Sequence, residues 1–287
     1  MPYRLLAIFA HPDDEGAVSG SLVRYARSGS HVTLCCVTRG EVGESSDPAL
    51  ATRETMGQVR QSELECAVKV LGIQQLRFLD YRDSGMAGTA ENDDPRAFVQ
   101  SPAAQAVGRI VALIRELRPH IVITFEPGGW YGHPDHIAAS HHTTAAYAAA
   151  GDTTAYSAAG TGWQPQRLFY AAILKDGWRA LVEWQVSQGM DVSSFGAFRL
   201  DEPDPMAALI THGLDCSAEA LLKRQGLACH RTQFGGGHPM MRVPDSVFRA
   251  AFGHEHFVQV QPPLTPTLGA PFLDDLCYGV NDDDHPR

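Results

Sequence analysis

A short acidic stretch near the start of the chain, residues 11–15, has the sequence His-Pro-Asp-Asp-Glu. It directly follows an apolar run at residues 5–10, whose length and apolar density predict a buried strand. Three carboxylates this close together repel one another unless a cation or hydrogen bonds compensate their charge. The stretch is therefore either part of a divalent metal site, with His11 and one aspartate as ligands, or a solvated acidic turn.

A second cluster of the same residue types, His-Pro-Asp-His at residues 133–136, follows another apolar run at residues 120–125. The carboxyl ends of parallel strands meet at one edge of a sheet, so we expect the two clusters to lie together there. Because each cluster comes directly after a predicted strand, a shared metal site is favoured over two unrelated polar turns.

A zinc ion shared by His11, Asp14 and His136 would have two imidazole ligands, one carboxylate ligand and at least one position open for water. Such a ligand set is typical of catalytic zinc, which lowers the pKa of its water towards about 7. Iron or cobalt could occupy the same ligands, so the sequence does not name the metal. The His-Glu-His group at residues 254–256 is a weaker candidate for metal binding.

The residues beside these ligands indicate how an amide could be hydrolysed. Asp13 is placed to accept a proton from the water as general base, and can deliver it later. His133 can face the same cavity and, when protonated, stabilise an oxyanion, with Asp135 holding its imidazole. This set needs no serine or cysteine nucleophile. Glu15 has no catalytic role in the scheme and is expected to support the turn or the helix that follows.

Apolar runs of strand length alternate with helical periodicity through residue 136. The alternation predicts a Rossmann-like α/β fold, in which a doubly wound and mostly parallel sheet is covered by helices. We expect a catalytic core with the metal site over residues 1–174 and a smaller C-terminal capping subdomain with a tail over residues 175–287, within one continuous domain. No Gly-x-Gly-x-x-Gly follows the first strand, which disfavours dinucleotide binding.

The C-terminal part has a less regular pattern. It predicts strands at residues 209–214 and 257–260, and a helix over residues 217–230 that is capped by Ser217. We expect this part to cover the edge of the sheet that carries the two clusters.

The composition argues against several classes of protein. The chain has 287 residues and a formal net charge of -10, without a run of Lys and Arg, so we expect no nucleic-acid partner. The N-terminal apolar stretch is too short for a signal peptide or a membrane span, so we expect a cytoplasmic location. The six cysteines include no Cys-x-x-Cys pair, and we expect reduced side chains that act as small apolar residues.

The motifs at residues 10–15 and 133–136 resemble the two signature motifs of the LmbE-like, or PIG-L, family of zinc-dependent deacetylases. Other segments extend the resemblance over most of the chain up to about residue 233, namely 38–43, 60–64, 81–86, 92–96 and 230–233. The last three of these are similar to the branch that contains the mycothiol-pathway deacetylase and the mycothiol conjugate amidase.

The resemblance implies the same three zinc ligands, Asp13 as general base and His133 as the electrostatic and acid partner. It further implies that Tyr131, two positions before His133, covers the substrate carbonyl. Three more residues are implied to contact the substrate, namely Arg60, Asp80 and Glu41.

The implied substrate is a small-molecule N-acyl glucosaminide, an N-acetylglucosamine conjugate from which acetate is removed. Amidase members of the branch instead cleave a thiol conjugate at the amide next to glucosamine. A third hypothesis is a non-catalytic sugar-binding protein, which would not need the base Asp13. Relatives are often oligomeric, so a homo-oligomer is an open expectation, and the sequence assigns no role to His230.

Overall fold

The structure is a computed structural model that describes residues 3–192, 200, 202, 204–235, 237–267 and 269–281. A seven-stranded sheet lies at its centre, with the strand order β3-β2-β1-β4-β5-β7-β6. The strands β1 to β7 are Arg4–Phe9, His31–Cys36, Gln75–Phe78, Ile121–Phe125, Arg167–Ala172, His212–Asp215 and His254–Gln261.

Helices connect most of these strands. In chain order, α1 to α10 are Ser19–Arg27, Met56–Leu71, Ala103–Leu117, Gly129–Gly132, Pro134–Ala150, Lys175–Ser187, Ala220–Leu227, Arg231–Phe234, Pro239–Arg242 and Asp245–Phe252. A short 3-10 helix, Asp14–Ala17, directly follows β1 and leads into α1. Within the part of the chain that the structure describes, no helix is both long and apolar enough to cross a lipid bilayer.

Strands β1 to β5 are parallel, with Leu5 of β1 opposite Val32 of β2 on one side and Ile121 of β4 on the other. All five residues of β4 are buried, as expected for a parallel strand covered on both faces. The chain proceeds outward from β1 through β2 to β3, and then returns through α3 to β4 on the opposite side of β1. The predicted Rossmann-like, mostly parallel fold is confirmed, and its winding reverses between β1 and β4. Ligands of such sheets bind in the crevice at this reversal.

The C-terminal strands extend the same sheet in the antiparallel sense. β7 pairs with β5 on one side and with β6 at the sheet edge. The strand predicted at residues 257–260 is present within the longer β7, whereas the strand predicted at 209–214 begins only at His212.

The helix that was expected to begin at Ser217 is α7, and it begins at Ala220 after Glu219 as N-cap. The amide of Ser217 instead donates to Asp215 Oδ1 at 2.9 Å, in a turn before the helix. The prediction of Ser217 as the cap is wrong, because residues 217–219 form a turn that the Asp215 carboxylate holds at the Ser217 amide.

A second apolar cluster lies in the C-terminal part, apart from the main core around the sheet. It contains Leu181 of α6, Leu227 of α7 and Phe248 of α10, all of them buried. The division into a core over residues 1–174 and a C-terminal subdomain over 175–287 stays a prediction. Strands β6 and β7 of the second part belong to the same sheet as the core.

The prediction of six reduced cysteines is wrong for one pair. Cys66 of α2 and Cys229, two residues after α7, form a disulfide whose Cα atoms lie 5.8 Å apart. The other four cysteines are free and buried, namely Cys35, Cys36, Cys216 and Cys277. The two cysteines are separated by 163 positions in the sequence and are brought together by the packing of α2 against α7. No short spacing between cysteines in the sequence indicated this pair.

Candidate metal centre

The turn after β1 brings two of the predicted ligands together. The backbone N–H of His11 donates to Asp14 Oδ2 at 2.7 Å, and the N–H of Asp14 donates to the His11 carbonyl at 3.3 Å. Between them, Asp13 has a left-handed backbone conformation with φ of 109°, which is costly for a residue other than glycine. The turn thereby holds the His11 imidazole beside the Asp14 carboxylate.

The second cluster forms the start of α5. His133 is the N-cap, and its Nδ1 accepts the backbone N–H of Asp135 at 3.2 Å. Pro134 occupies the first helical position, where its missing N–H is not needed. His136 follows in the first turn; it is fully buried and stacks on Phe125 at the end of β4, with 4.1 Å between ring centroids. The strand end and the helix start together fix the position of His136.

Potential ligand atoms of three side chains converge at the carboxyl ends of β1 and β4. His11 Nδ1 lies 3.1 Å from His136 Nε2 and 3.5 Å from Asp14 Oδ2, and His136 Nε2 lies 3.3 Å from Asp14 Oδ1. Ligands of a tetrahedral ion with bonds of about 2.0–2.1 Å are separated by about 3.3–3.4 Å. The donor types and their separations therefore fit a zinc-sized ion.

The charges around these atoms favour a cation. Although burial opposes ionisation, the His136 and His11 imidazoles hold the pKa of Asp14 well below its ordinary value. Although burial lowers it, the surrounding carboxylates, above all that of Asp83, raise the pKa of His11 well above its ordinary value. The Asp14 carboxylate is thus kept ionised, and the surroundings of His11 favour positive charge. Both conditions suit a bound divalent cation.

The other ring nitrogen of His11 faces two further carboxylates. His11 Nε2 lies 3.2 Å from Asp135 Oδ2 and 3.5 Å from Asp83 Oδ1. A carboxylate at one imidazole nitrogen keeps the proton there and leaves the other nitrogen free to bind a metal. The arrangement favours Nδ1 of His11 as the ligand atom.

The expectation that Asp135 holds the imidazole of His133 is wrong. The Asp135 carboxylate is turned towards His11, because the backbone N–H of Ser84 donates to its Oδ2 at 2.9 Å and the Ser84 hydroxyl donates to its Oδ1. Only the backbone of Asp135 contacts the His133 ring. Burial, together with the nearby imidazoles of His11 and His136, lowers the pKa of His133 to about 4. His133 is therefore neutral here, with its proton on Nε2, since Nδ1 is an acceptor.

Besides His11, Asp14 and His136, two further sets of three side chains among the described residues bring potential ligand atoms within 4.8 Å of one another. One set is His11, His133 and His136, and the other is His11, Asp83 and Asp135. Both include His11, so both are parts of one centre. The His-Glu-His group at residues 254–256 is arranged differently: its central residue, Glu255, is buried and paired with Lys223 at 2.7 Å.

Asp13 lies at the mouth of the centre, with its side chain 20% exposed. Burial, opposed by the Arg60 guanidinium and reinforced by the Asp14 carboxylate, raises the pKa of Asp13 to about 6. A carboxylate with this pKa can take up and release a proton near neutral pH.

Arg60 reaches the centre from α2, but its guanidinium is engaged by the protein. Its Nη2 donates to Asp13 Oδ2 at 3.1 Å and to the Pro12 carbonyl at 2.6 Å. Its Nη1 donates to the carbonyl of Gly40 at 3.2 Å. A Cβ at Gly40 would lie 2.2 Å from Nη1, so glycine is needed for this approach. These contacts hold the turn around Asp13.

Tyr131 lies beside the imidazoles of the candidate centre. Its ring centroid lies 5.1 Å from that of His136, and the residue is 60% exposed. Its predicted place over a substrate carbonyl stays a prediction. Gly129 and Gly132 on either side have positive φ, and Trp130 lies between Gly129 and Tyr131 with φ of 60°. The ring is thus placed at the entrance by an irregular, glycine-rich segment.

The structure does not bring Asp80 into the centre. Its side chain is 66% exposed and pairs with Arg39 Nη2 at 2.7 Å on the surface. Glu41 lies nearer, and its Oε2 accepts the backbone N–H of Asp83 at 3.1 Å, so it supports the loop behind His11. The loop residue that does reach the centre is Asp83, three positions after Asp80.

The sequence assigned no role to three residues of the site, namely Asp83, Ser84 and His230. Glu15 does support the turn, as expected, because its Oε2 accepts the backbone N–H of Asp13 at 2.9 Å. Asp83 and Ser84 belong to the segment 81–86 that carries the family resemblance, and this was the only available signal, because loop residues have no periodicity. Glu15 contacts His230 from the C-terminal part at 2.7 Å, a pairing across 215 positions.

A mostly parallel α/β sheet with buried imidazoles and carboxylates at its winding reversal, beside a titratable carboxylate, is an arrangement that suits metal-dependent hydrolysis. Comparison with known proteins gives the family.

The family model described as PIG-L, GlcNAc-PI de-N-acetylase, matches residues 6–147. A 1D-myo-inositol 2-acetamido-2-deoxy-alpha-D-glucopyranoside deacetylase from Rhodococcus erythropolis is 37% identical over 281 residues, covering 92% of each chain. An enzyme of the same name from Thermobifida fusca is 38% identical and covers 91% of this chain and 93% of its own. The solved N,N'-diacetylchitobiose deacetylase from Pyrococcus horikoshii shares the fold, with TM-score 0.62, 16% identity and coverage of 92% and 87%.

The chain belongs to the PIG-L family and is an enzyme, an amide hydrolase. Deacetylases of this family depend on a metal, in agreement with the ligand set at the carboxyl ends of β1 and β4. The hypothesis of a non-catalytic sugar-binding protein is thereby set aside.

Proposed function

We propose that this enzyme removes the acetyl group from an N-acetylglucosamine conjugate whose aglycone is inositol. The observation that carries the proposal is the convergence of His11 Nδ1, His136 Nε2 and the Asp14 carboxylate beside Asp13. The names of the relatives from Rhodococcus erythropolis and Thermobifida fusca support the substrate class.

In the proposed mechanism, His11, Asp14 and His136 would hold a divalent metal, and their mixed imidazole and carboxylate donors favour zinc. Such an ion would supply Lewis-acid activation of water and of the amide carbonyl. Asp13 accepts a proton from the attacking water at its carboxylate, which Arg60 holds in place. His133 donates its Nε2 proton as a hydrogen bond to the oxyanion. Collapse breaks the C–N bond, and Asp13 returns the proton to the leaving amine, so that acetate and a free amine are released.

The substrate assignment is tested with purified enzyme and two amides. One is the N-acetylglucosaminyl inositol, and the other is a thiol conjugate acylated on glucosamine. We expect acetate and free glucosaminyl amine from the first, and much slower cleavage of the second. Faster cleavage of the thiol conjugate would contradict the deacetylase assignment and identify an amidase.

The role of Asp13 is tested by Asp13→Asn, which removes the base and keeps the shape. We expect turnover to fall at least about 100-fold, because a general base contributes about 10²–10⁴ to the rate. Metal content, measured by mass spectrometry of the purified variant, should equal that of the wild type. Retention of more than about a tenth of the turnover would show that Asp13 is not the base.

Location and assembly remain proposals. We keep a cytoplasmic location as a prediction, which cell fractionation tests. We also keep a homo-oligomer as a prediction, which light scattering in solution tests.

A further inference from the structure

Glu15 and His230 form a buried pair that the proposed mechanism does not use. His230 Nε2 lies 2.7 Å from Glu15 Oε1, and the two side chains are 0% and 2% exposed. The other carboxylate oxygen, Glu15 Oε2, accepts the backbone N–H of Asp13 at 2.9 Å. The pair therefore ends at the main chain of the residue assigned as general base.

The backbone of Asp13 needs such support. Its φ of 109° is a conformation that a residue with a side chain rarely adopts, so surrounding contacts must hold it. The N–H of Gly16 donates to the Asp13 carbonyl at 2.9 Å, and Arg60 binds the carboxylate. Glu15 supplies the third contact, at the amide. Loss of this contact would let Asp13 relax towards negative φ and turn its carboxylate away.

His230 itself is anchored on both sides to α2. The preceding residue, Cys229, is bonded to Cys66. Two residues later, the Thr232 backbone N–H donates to Glu63 Oε1 at 2.8 Å and its hydroxyl donates to Oε2 at 2.6 Å. The segment cannot drift away from the turn after β1 while these links persist, so His230 presents Nε2 to Glu15 at a fixed place.

We propose that Glu15 and His230 are positioning residues for the reaction, which hold Asp13 in the orientation required to take a proton from the attacking water. The inference rests on the proposed role of Asp13 as general base. Two direct contacts support it: His230 contacts Glu15, and Glu15 accepts the backbone N–H of Asp13. Weakening the pair should therefore lower the rate of the chemical step more than it changes binding of substrate or metal.

The test compares His230→Ala with His230→Gln, whose amide N–H₂ can replace Nε2–H as donor to Glu15. We expect His230→Ala to lower kcat about 10- to 100-fold, the size of effect that misplacing a reacting group produces. KM and metal content should stay within about twofold of the wild type, because the ligands are untouched. His230→Gln should recover most of the lost kcat. Equal kcat for His230→Ala and the wild type, or a loss that His230→Gln does not repair, would overturn the inference.

A double variant separates positioning from a general structural role. If His230 acts through Asp13, adding His230→Ala to Asp13→Asn should lower kcat by less than about twofold further. A full, multiplicative loss in the double variant would show that His230 acts elsewhere. Asp13→Asn with wild-type turnover would instead refute the proposed base itself, so the two failures are distinct.

Two further variants guard against loss of folding. His230→Asn keeps a polar group in the buried space but is too short to reach Glu15, and we expect the same fall in kcat. Tyr25→Phe is the matched control, since it removes the hydroxyl contact of a buried side chain to Asp275, which involves neither Glu15 nor the segment around His230. We expect Tyr25→Phe to lower the melting temperature while kcat stays within about twofold. A similar fall in kcat for Tyr25→Phe would overturn a specific role of His230.

Discussion

At the scale of residues, His11 is where two networks meet. Its Nδ1 faces His136 and Asp14, while its Nε2 faces Asp135 and Asp83. The carboxylates on the Nε2 side determine which nitrogen carries the proton, and so which nitrogen is left for a metal. The Asp135 carboxylate therefore supports the candidate ligand His11 and not the imidazole of His133.

This assignment predicts the effect of Asp135→Asn. The amide keeps the volume of the buried side chain but loses the charge that favours a proton on His11 Nε2. We expect metal affinity to fall about 10- to 100-fold, as for other partners of ligating histidines. Competition with a coloured chelator measures the affinity.

Asp176→Asn is the control for Asp135→Asn. Its carboxylate is 83% exposed on α6 and pairs with Arg179 on the surface. We expect this variant to bind metal like the wild type. Unchanged affinity in Asp135→Asn as well would show that the contact with His11 does not support the ligand.

Residue types and spacing predicted which side chains converge, but not every direction in which they point. His11, Asp14 and His136 follow the ends of neighbouring parallel strands, so their meeting follows from the fold rule. The direction of Asp135 depends on Ser84, which lies on a loop without periodicity and 51 positions away. No spacing in the sequence encodes that contact.

At the scale of elements, a buried ion pair joins the antiparallel strand β7 to helices α7 and α1. Lys223 Nζ of α7 lies 2.7 Å from Glu255 Oε1 of β7, and their side chains are 4% and 1% exposed. The same carboxylate accepts the N–H groups of Gly20 and Ser21 at the start of α1. The pair thus connects three elements that are distant in sequence.

We predict that Lys223→Met destabilises the fold by about 3–5 kcal/mol, because it leaves the Glu255 carboxylate buried without its cation. Unfolding in urea, followed by circular dichroism, measures the free energy. The control is Asp245→Asn, which removes the exposed pair between Asp245 and the adjacent Arg224 and should cost less than about 1 kcal/mol. Comparable small losses in both variants would show that the buried pair does not hold these elements together.

The elements themselves were predicted unequally. Strands β1 and β4 were visible as apolar runs, because parallel strands covered on both faces are continuously apolar. β3 is a partly exposed edge strand with the sequence Gln-Leu-Arg-Phe and gives no such run. β6 is a four-residue edge strand, too short to give a clear pattern, and its start was misplaced. The start of α7 was misplaced because Asp215 binds the Ser217 amide, a side-chain choice that propensity does not determine.

At the scale of the whole molecule, the site is completed by parts of the chain that lie far apart. The turns after β1 and β4 supply the candidate ligands, α2 supplies Arg60, and the segment after α7 supplies His230. The meeting of the turns after β1 and β4 could be expected from the doubly wound topology. The contribution of His230 could not be expected, because it depends on the packing of α7 against α2 and on the Cys66–Cys229 disulfide.

The central claim is that His11, Asp14 and His136 hold the metal on which acetate release depends. It is tested most directly by preparing metal-free enzyme with a chelator and titrating zinc while measuring acetate release from the N-acetylglucosaminyl inositol. The account predicts no release without metal and a plateau at about one zinc ion per chain, as for a single three-residue site with an open position. Undiminished release from the metal-free enzyme, or an unchanged titration in His136→Ala, would contradict it.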